Sequence, residues 1–254
     1  MTETARGRRL GSHLIADGFV VACVLGWWLT SLRLPKFVLP DPFSVGATTV
    51  RLFVDPGFLV HTGASALRVA AAVVLSVVLG LALALLAERV PVLSHAVHRR
   101  LLPVLNSFPS VGWAILATVW FQPTSAAVIF VQVMILTPFC LINAAQGLRE
   151  LDREVVEMAR SFTRSRARVV LHVILPLLMP YLMAAVRIAY GIGWKIALVA
   201  ELFGADSGLG YLMLKAQVMS DAAMVFATCF AIVIIFIAGE KLVIDPITRR
   251  IRAH

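Results

Sequence analysis

Charged residues are scarce in this sequence, at 15% of 254 residues, while hydrophobic residues make up 60%. Soluble globular domains carry about 25% charged residues, so this composition excludes an ordinary soluble domain and predicts a protein embedded in a lipid bilayer. The formal net charge is +9, but the basic residues occupy short segments between apolar runs. Nucleic-acid-binding proteins gather such residues on one solvated face. The pattern therefore argues against a nucleic-acid partner and is typical of the cytoplasmic loops of a membrane protein.

The sequence also lacks the motifs of nucleotide binding and of catalysis. It has no Gly–Lys pair, hence no G-x-x-x-x-G-K-[ST] loop, so this chain is not expected to bind nucleotide phosphates itself. Its six histidines include no H-E-x-x-H pair for zinc, and its three cysteines have no metal-ligand spacing. Ser207 lies in G-A-D-S-G, one residue out of register for G-x-S-x-G. We predict no catalytic residue and no metal site, and keep an intramembrane enzyme as a distant alternative.

Long apolar runs dominate what is present, and about 20 apolar residues are needed to cross a bilayer as a helix. Five such runs occur, at 14–32, 64–87, 113–121 continuing through 126–145, 169–203 and 222–244. The third is interrupted by Gln122–Pro123–Thr124, a turn signal, which predicts a short helix from about Ser110 and a second helix after the turn. The sequence therefore predicts six transmembrane helices.

The distribution of basic residues predicts the orientation of these helices. With the N-terminus inside, sixteen basic residues fall in cytoplasmic segments and four fall outside, as the positive-inside rule requires. We predict an all-α integral membrane protein with one transmembrane domain over 1–254. Its cytoplasmic segments include 1–13, 148–168 and 245–254. Both termini, including Thr2 and His254, are then predicted to be cytoplasmic, and Ser207 to face outside.

The longest predicted cytoplasmic loop, 148–168, is basic and amphipathic. Its apolar residues recur at near-helical spacing among the charges, which predicts short helices. They are Leu148, Leu151, Val155, Val156, Met158, Ala159 and Phe162. By pattern alone, such a loop either lies on anionic lipid or stays solvated.

The loop also resembles the "EAA" loop of ABC importer permeases, E-A-A-x3-G-x9-I-x-L-P. Glu157, Ala159, Val173 and Leu175–Pro176 match it, with the proline nineteen residues after the glutamate. Met158 replaces the second residue and Thr163 replaces the glycine, which reaches left-handed backbone geometry without the usual cost. In that family the loop forms coupling helices that dock on the ATPase subunit, with a sharp bend between them. Thr163 therefore stands where the resemblance implies a bend that glycine would make easily.

Four further segments are similar to the taurine, sulfonate and nitrate branch of these permeases. Val38–Pro42 resembles its "LPSP" segment, Ser65–Val69 its "SLLRV" helix, and Trp120–Phe121 its "WFG" turn, with Gln122 where glycine is common. Glu201–Phe203 with Ser207–Tyr211 resembles its "AELIG…SGLGYLI" segment. The five matches follow one another in order from about Val38 to the C-terminus.

The resemblance implies a type I ABC importer permease in the bacterial cytoplasmic (inner) membrane. It implies a second permease copy (a homodimer), two ATP-binding subunits that bind ATP and Mg, and an extracytoplasmic solute-binding protein. No cofactor is expected in this chain, and membrane lipid is a further partner. The residues implied in coupling to the ATPase are Arg153, Val156, Glu157, Met158, Ala159, Arg160, Phe162, Thr163, Leu175 and Pro176.

Charged residues inside the predicted spans are candidates for the translocation path, because each costs about 2.5–3.5 kcal/mol at mid-helix. The basic ones are Arg68, Arg187 and Lys195, and Glu201 follows near the outer end of the fifth span. For the arginines the alternative is a structural ion pair or bonding to backbone carbonyls. The other candidates to line the path, each with core packing as its alternative, are Trp113, Gln132, Thr137, Asn143 and Trp194.

The resemblance favours a small anion such as a sulfonate, taurine or nitrate, in keeping with Arg187 and Lys195. An aromatic acid or a vitamin precursor is the alternative.

Overall fold

The computed structural model describes residues 3–151, 153–163 and 165–252. Within them, the side chains of 3–16, 91, 98, 153, 166 and 251–252 lie outside the description. The positions predicted for Thr2 and His254, and that of the Arg153 side chain, therefore lie outside the described residues. All regular elements across the described ranges are helical, which confirms the predicted all-α fold.

Thirteen α-helices and three π-helical segments follow one another along these ranges. The first seven α-helices are α1 (Glu3–Ser31), α2 (Pro42–Leu52), α3 (Pro56–Arg89), α4 (Pro91–Ala96), α5 (Leu102–Ser107), α6 (Ser110–Phe121) and α7 (Ser125–Arg149). The next six are α8 (Arg153–Phe162), α9 (Arg166–Val169), α10 (Leu175–Gly204), α11 (Leu209–Val218), α12 (Ala222–Gly239) and α13 (Asp245–Arg252). The π-helical segments are Val97–Leu101, Val170–Ile174 and Glu240–Ile244.

Several of these helices have the length and composition of membrane spans. Across the described ranges there are four, Pro56–Arg89, Ser125–Arg149, Ala167–Gly204 and Ala222–Arg250. A fifth is present if Val92–Ser107 and Ser110–Phe121, bent by 88° at their break, count as one span. Asp17–Ser31 is a shorter apolar helix. The count of six spans with both termini in the cytoplasm stays a prediction.

The turn predicted at 122–124 is confirmed. Helix α6 begins at Ser110 after Pro109 and ends at Phe121, and α7 begins at Ser125. The Thr124 hydroxyl caps α7 by accepting the Ala127 amide at 3.4 Å. Gln122 has φ 59° and ψ 176°, a backbone region almost restricted to glycine.

The chain divides into two compact units, and the prediction of one transmembrane domain stays a prediction. One unit comprises the chain up to Leu59 together with Met213–Val233. In it, Trp27 stacks between Phe226 and Phe230 at ring-centroid distances of 5.9 and 6.0 Å. The Trp27 indole also donates to the Pro40 carbonyl at 3.0 Å. These contacts give the first unit an aromatic core.

The second unit comprises Val60–Leu212 and the chain from Ile234 onwards. Its core forms where α7 packs against α3 and α10, around Leu141, Ala144, Leu178 and Leu182. Glycines allow the close approach. A Cβ on Gly80 would lie 2.7 Å from Cys140 Cβ, and one on Gly147 would lie 2.8 Å from the Tyr181 ring.

Candidate functional site

The candidate coupling element is α8, and its apolar residues divide into two sets. Met158 and Phe162 are 58% and 83% exposed, and they lie four residues apart, hence next to each other on the helix surface. Val155, Val156 and Ala159 are half-buried. Glu157 and Arg160 are exposed. The helix therefore presents two adjacent apolar side chains bordered by charges of both signs.

Thr163, the residue that follows α8, does not have a left-handed backbone. Among the described non-glycine residues, positive φ occurs at Gln122 and Ser220, so Thr163 does not require the conformational freedom of glycine. The Thr163 hydroxyl accepts the Ser165 amide at 3.3 Å, and such a bond stabilises turns at serine and threonine. The departure from the motif glycine is thus accommodated locally.

The join between this loop and α10 lies at Leu175–Pro176. The π-helical segment Val170–Ile174 ends directly before Leu175, and Pro176 lies in the first turn of α10. The helix is continuous from Ala167 to Gly204, so Pro176 follows helical carbonyls but has no amide to donate to them, and one helical hydrogen bond is missing at this join. Leu175 packs on the core that surrounds Leu178 and Leu182. The motif's Leu–Pro pair thus starts the α-helical part of the span.

A second link between the loop and α10 joins Glu150 to Tyr181. Glu150 follows α7, and its carboxylate accepts the Tyr181 hydroxyl and, at 3.0 Å, the Gln146 amide. These two donors hold the pKa of the Glu150 carboxyl below its ordinary value, with the tyrosine as the larger cause. The start of the loop is therefore hydrogen-bonded to the helix that follows its end.

A buried ion pair lies in the second unit. Arg68 on α3 donates from Nη1 to Glu201 Oε1 on α10 at 2.9 Å, and their side chains are 4% and 0% exposed. The Ser65 hydroxyl, one turn before Arg68, also contacts the carboxylate, at 2.8 and 2.9 Å from its two oxygens. This is the ion-pair alternative stated above for Arg68, and it includes Glu201.

The loop between α10 and α11 covers this ion pair with its backbone. The Gly210 amide donates to Glu201 Oε2 and the Leu209 amide donates to the Ser65 hydroxyl, both at 2.9 Å. Arg68 donates to the Ser207 carbonyl at 2.7 Å. The buried charges therefore gain the hydrogen bonds that such groups need when they leave water.

Two glycines make this cover sterically feasible. Gly208 has φ +110°, and a Cβ there would stand 2.3 Å from Glu201 Cδ. A Cβ on Gly210 would stand 2.5 Å from the Leu198 carbonyl oxygen. Only glycine fits both the left-handed backbone and the contact with the carboxylate at 208. The Ser207–Gly208–Leu209–Gly210 segment is thus a lid over Glu201, here called the Glu201 lid.

Three side chains complete the network around the lid. Arg68 Nη2 donates to the Ser207 hydroxyl at 2.6 Å, and Arg68 Nε donates to the Ser125 hydroxyl at 3.0 Å. His61 Nδ1 accepts the Gly208 amide at 2.9 Å, which requires that nitrogen to carry no proton. Segments from four parts of the chain are joined by these bonds.

Arg187, near the middle of α10, also contacts acidic side chains. It lies 3.5 Å from Glu240 through Nε and bonds Asp245 through Nη2, while its own side chain is 46% exposed. Glu240 begins the π-helical segment Glu240–Ile244, and Asp245, five residues later, directly follows it. A π-helix bonds residues i and i+5, so both carboxylates lie on one side of the chain. The structural ion pair is therefore the arrangement observed for Arg187.

Lys195 is placed differently. Its side chain is exposed, and across the described ranges no acidic group lies within ion-pair distance of it. Trp194 and Gly193, the residues just before it, are buried. Of the three basic residues predicted in spans, Lys195 is the one whose charge is not met by a described carboxylate.

The uncharged path candidates lie mainly in the packed core. Trp113, Gln132, Thr137 and Trp194 are between 0% and 9% exposed. The Thr137 hydroxyl and the Asn143 amide bond the carbonyls four residues before them, at 2.6 and 2.9 Å. Asn143 itself is half-buried. Burial inside one chain favours core packing, the alternative stated for these residues.

Several residues of these networks have no role among the predictions made from sequence. Ser65, Ser207, Gly208 and Gly210 were noted as matches to family segments but without a function. A signal did exist for them, because serine and glycine at fixed places beside a buried charge favour hydrogen bonding and close backbone approach. His61, Ser125, Glu150, Tyr181, Glu240 and Asp245 gave no such signal, because their partners lie far away in the sequence.

Comparison with known proteins places this geometry in context. A family model described as "Binding-protein-dependent transport system inner membrane component" matches residues 76–247. The Escherichia coli (strain K12) taurine transport system permease protein TauC is 27% identical over 233 residues, 87% of this chain and 82% of TauC. The putative aliphatic sulfonates transport permease protein SsuC of the same organism is 32% identical over 132 residues. That match spans about half of each chain, at 51% of this one and 50% of SsuC.

Two further similarities bear on solute and fold. The Halalkalibacterium halodurans formylaminopyrimidine transport permease protein ThiX is 25% identical over 217 residues, 84% of this chain and 85% of ThiX. Among solved structures, a chain of the inward-facing MetNI methionine ABC transporter matches with a TM-score of 0.56 and 18% identity. The match covers 76% of this chain and 95% of that one. At this identity the likeness supports a common fold.

Proposed function

This chain belongs to the family of binding-protein-dependent transport system inner membrane components, and from that premise we propose that it carries a small anion across the membrane. As an ABC importer permease, it is a multi-pass protein of the inner membrane. Family membership implies an ATPase and a substrate-binding protein as partners. The solute, the number of subunits and the coupling residues belong to the proposal.

The energy source in this proposal is a separate ATPase. The sequence has no Gly–Lys pair and so no loop to hold nucleotide phosphates. ATP and Mg would then be bound by two partner ATPase subunits, and this chain would pair with a second copy of itself. A solute-binding protein would deliver the solute from outside.

Helix α8 is the proposed contact with the ATPase, and its exposed apolar pair carries this part of the proposal. Met158 and Phe162 are exposed in the single chain, and exposed apolar neighbours rimmed by charge are suited to a groove in a soluble partner. Glu157 and Arg160 would set the register of docking. Anchoring to anionic lipid, through Arg164, Arg166 and Arg168, is the competing role.

Force from α8 would reach the membrane through two contacts. One is the chain itself, from the Thr163 turn to Leu175–Pro176 at the start of α10. The other is the hydrogen bond between Glu150 and Tyr181. When the ATPase dimer closes on ATP, movement of α8 would therefore move α10, and the two permeases would alternate between outward and inward openings.

A sulfonate or a related small anion is the proposed solute. The taurine and sulfonate transport for which TauC and SsuC are named supports it, and so does an exposed cationic side chain within a predicted span, Lys195. A vitamin precursor is the second candidate, supported by the likeness to ThiX.

Reconstituted transport tests the proposal. The chain would be co-expressed with its ATPase, purified and placed in liposomes with the solute-binding protein. We expect ATP-dependent uptake of taurine or an alkanesulfonate, and no ATP hydrolysis by the chain alone. Uptake of a formylaminopyrimidine instead would select the second candidate. ATP hydrolysis by the isolated chain would refute the proposal that a separate subunit hydrolyses ATP.

A further inference from the structure

The basic side chains of α10 differ in whether an acidic side chain of the same chain pairs with them. Arg187 contacts Glu240 and Asp245, while Lys195 has no acidic partner across the described ranges. Lys195 lies nine residues before Gly204, where α10 ends, which is about 14 Å at 1.5 Å per residue. The lysine stem spans only about 6 Å. With Gly204 near the outer surface, as the distribution of basic residues predicts, an ammonium at this depth in a hydrocarbon core about 30 Å thick does not reach that surface.

The surroundings of Lys195 on α10 are small or apolar. Ala184 and Ile188 are exposed and lie eleven and seven residues before it, each about 20° from it around an ideal helix. Gly191, one turn before Lys195, has no atom of the described structure within 4 Å of the place a Cβ would occupy. The ammonium therefore stands beside space that the described residues leave open, and none of their carboxylates lies within ion-pair distance of it.

Ammonium groups inside a membrane face a water-filled cavity or a partner charge rather than lipid. We propose that Lys195 lines the translocation path and binds the acid group of an anionic solute there. The interaction is a charge-assisted hydrogen bond from the ammonium to a sulfonate or carboxylate oxygen. This inference rests on the proposed function and adds the residue that discriminates between anionic and uncharged solutes.

The claim that the Lys195 ammonium lines the path and attracts anions there can be tested without knowledge of the solute. In the assembled importer lacking Cys23, Cys140 and Cys229, Gly191→Cys places a thiol beside Lys195 in space that can hold it. The probes are an anionic and a cationic thiosulfonate, sulfonatoethyl and trimethylammonioethyl. They are applied in both the nucleotide-free and the vanadate-trapped states. With Lys195 present, we expect the ratio of the anionic to the cationic reaction rate to be at least about fivefold higher than the same ratio measured on a free thiol in solution.

Two matched variants test whether the charge of Lys195 causes this preference. Lys195→Met should abolish that preference, whereas Lys215→Met, which removes an exposed lysine of α11, should leave it unchanged. Failure of Gly191→Cys to react with either charged reagent in both states would overturn the inference, since it would place this face in lipid. A reagent preference that Lys195→Met does not alter would overturn it as well.

Uptake measurements test whether Lys195 binds the acid group of the solute. In proteoliposomes, Lys195→Met should raise KM for taurine or butanesulfonate at least about tenfold while assembly and nucleotide binding are retained. Lys195→Arg, which keeps the charge, should stay within about threefold of the original. An unchanged KM in Lys195→Met overturns anion binding. If the original importer takes up no sulfonate, the proposed solute is wrong, and the placement of Lys195 is decided by the thiosulfonate result alone.

Discussion

Arg68 and Glu201, 133 positions apart in the sequence, form a single ion pair with Nη1 2.9 Å from Oε1. Neither side chain reaches solvent to any extent, at 4% and 0% exposed. Ser65 and the backbone of the Glu201 lid supply the remaining hydrogen bonds. Removing one partner alone would leave a buried charge without its counter-ion, so the second unit should be sensitive to single substitutions at this pair.

Replacing Glu201 with glutamine should destabilise the protein strongly. The guanidinium of Arg68 would stay buried without a counter-charge, at a cost of about 3–5 kcal/mol. Thermal unfolding of the purified importer measures it. The double variant Arg68→Met, Glu201→Met should recover much of the loss, because no isolated charge remains. Equal stability of Glu201→Gln and the original protein would contradict the role assigned to the pair.

Alanine at position 208 should open the Glu201 lid. Its Cβ would stand 2.3 Å from Glu201 Cδ, on a backbone with φ +110°. We expect a loss of at least about 2 kcal/mol in stability from strain and lost hydrogen bonds. Gly63→Ala is the matched control, because a Cβ there meets no described atom within 4 Å. Alanine on that exposed helical position should be neutral or stabilising by up to about 1 kcal/mol.

Glycine at position 122 should stabilise the protein. Gln122 holds φ 59° and ψ 176° between α6 and α7, and non-glycine residues in such regions cost about 1–3 kcal/mol. Gln122→Gly should therefore raise the unfolding temperature of the importer. Gln122→Ala keeps the Cβ and should leave the temperature close to the original. A lower temperature for the glycine variant would mean that the glutamine side chain contributes more than its backbone strain costs.

Reversing the charge of Glu157 should uncouple transport from ATP hydrolysis. Glu157 is exposed on α8 beside Met158, where a docked ATPase would meet it. Glu157→Arg should insert and assemble, but uptake and solute-stimulated ATPase rates in proteoliposomes should both fall at least about tenfold. If α8 serves mainly to anchor lipid, neutralising Arg164, Arg166 and Arg168 should cause the loss instead, with Glu157→Arg close to normal.

Labelling of single cysteines should establish the orientation of the chain. The distribution of basic residues predicts that Thr2 and His254 are inside the cell and that Ser207 is outside. A cysteine at the exposed neighbour Asp206 should react with a membrane-impermeant reagent in intact cells, and one at 254 should react only after lysis. Reaction at 254 in intact cells would contradict the predicted topology.

Local features of this protein were accessible from the sequence by itself. The apolar runs determined the long helices, because burying them in lipid requires only composition and length. Gln122–Pro123–Thr124 determined the break between α6 and α7, because turn preferences act within a few residues. The amphipathic pattern of 153–162 determined α8 for the same reason, although which of its apolar residues stay exposed did not follow from the pattern.

The tertiary structure alone decided which charged residues meet. Sequence spacing did not indicate that Glu201 would face Arg68 or that Arg187 would face Glu240 and Asp245. Nor did it indicate that Gly208 would close over a carboxylate seven residues before it. Helical periodicity specifies the direction of a side chain only relative to its own helix. The partner it meets depends on how separate helices pack, and these charged partners lie from 53 to 133 positions apart.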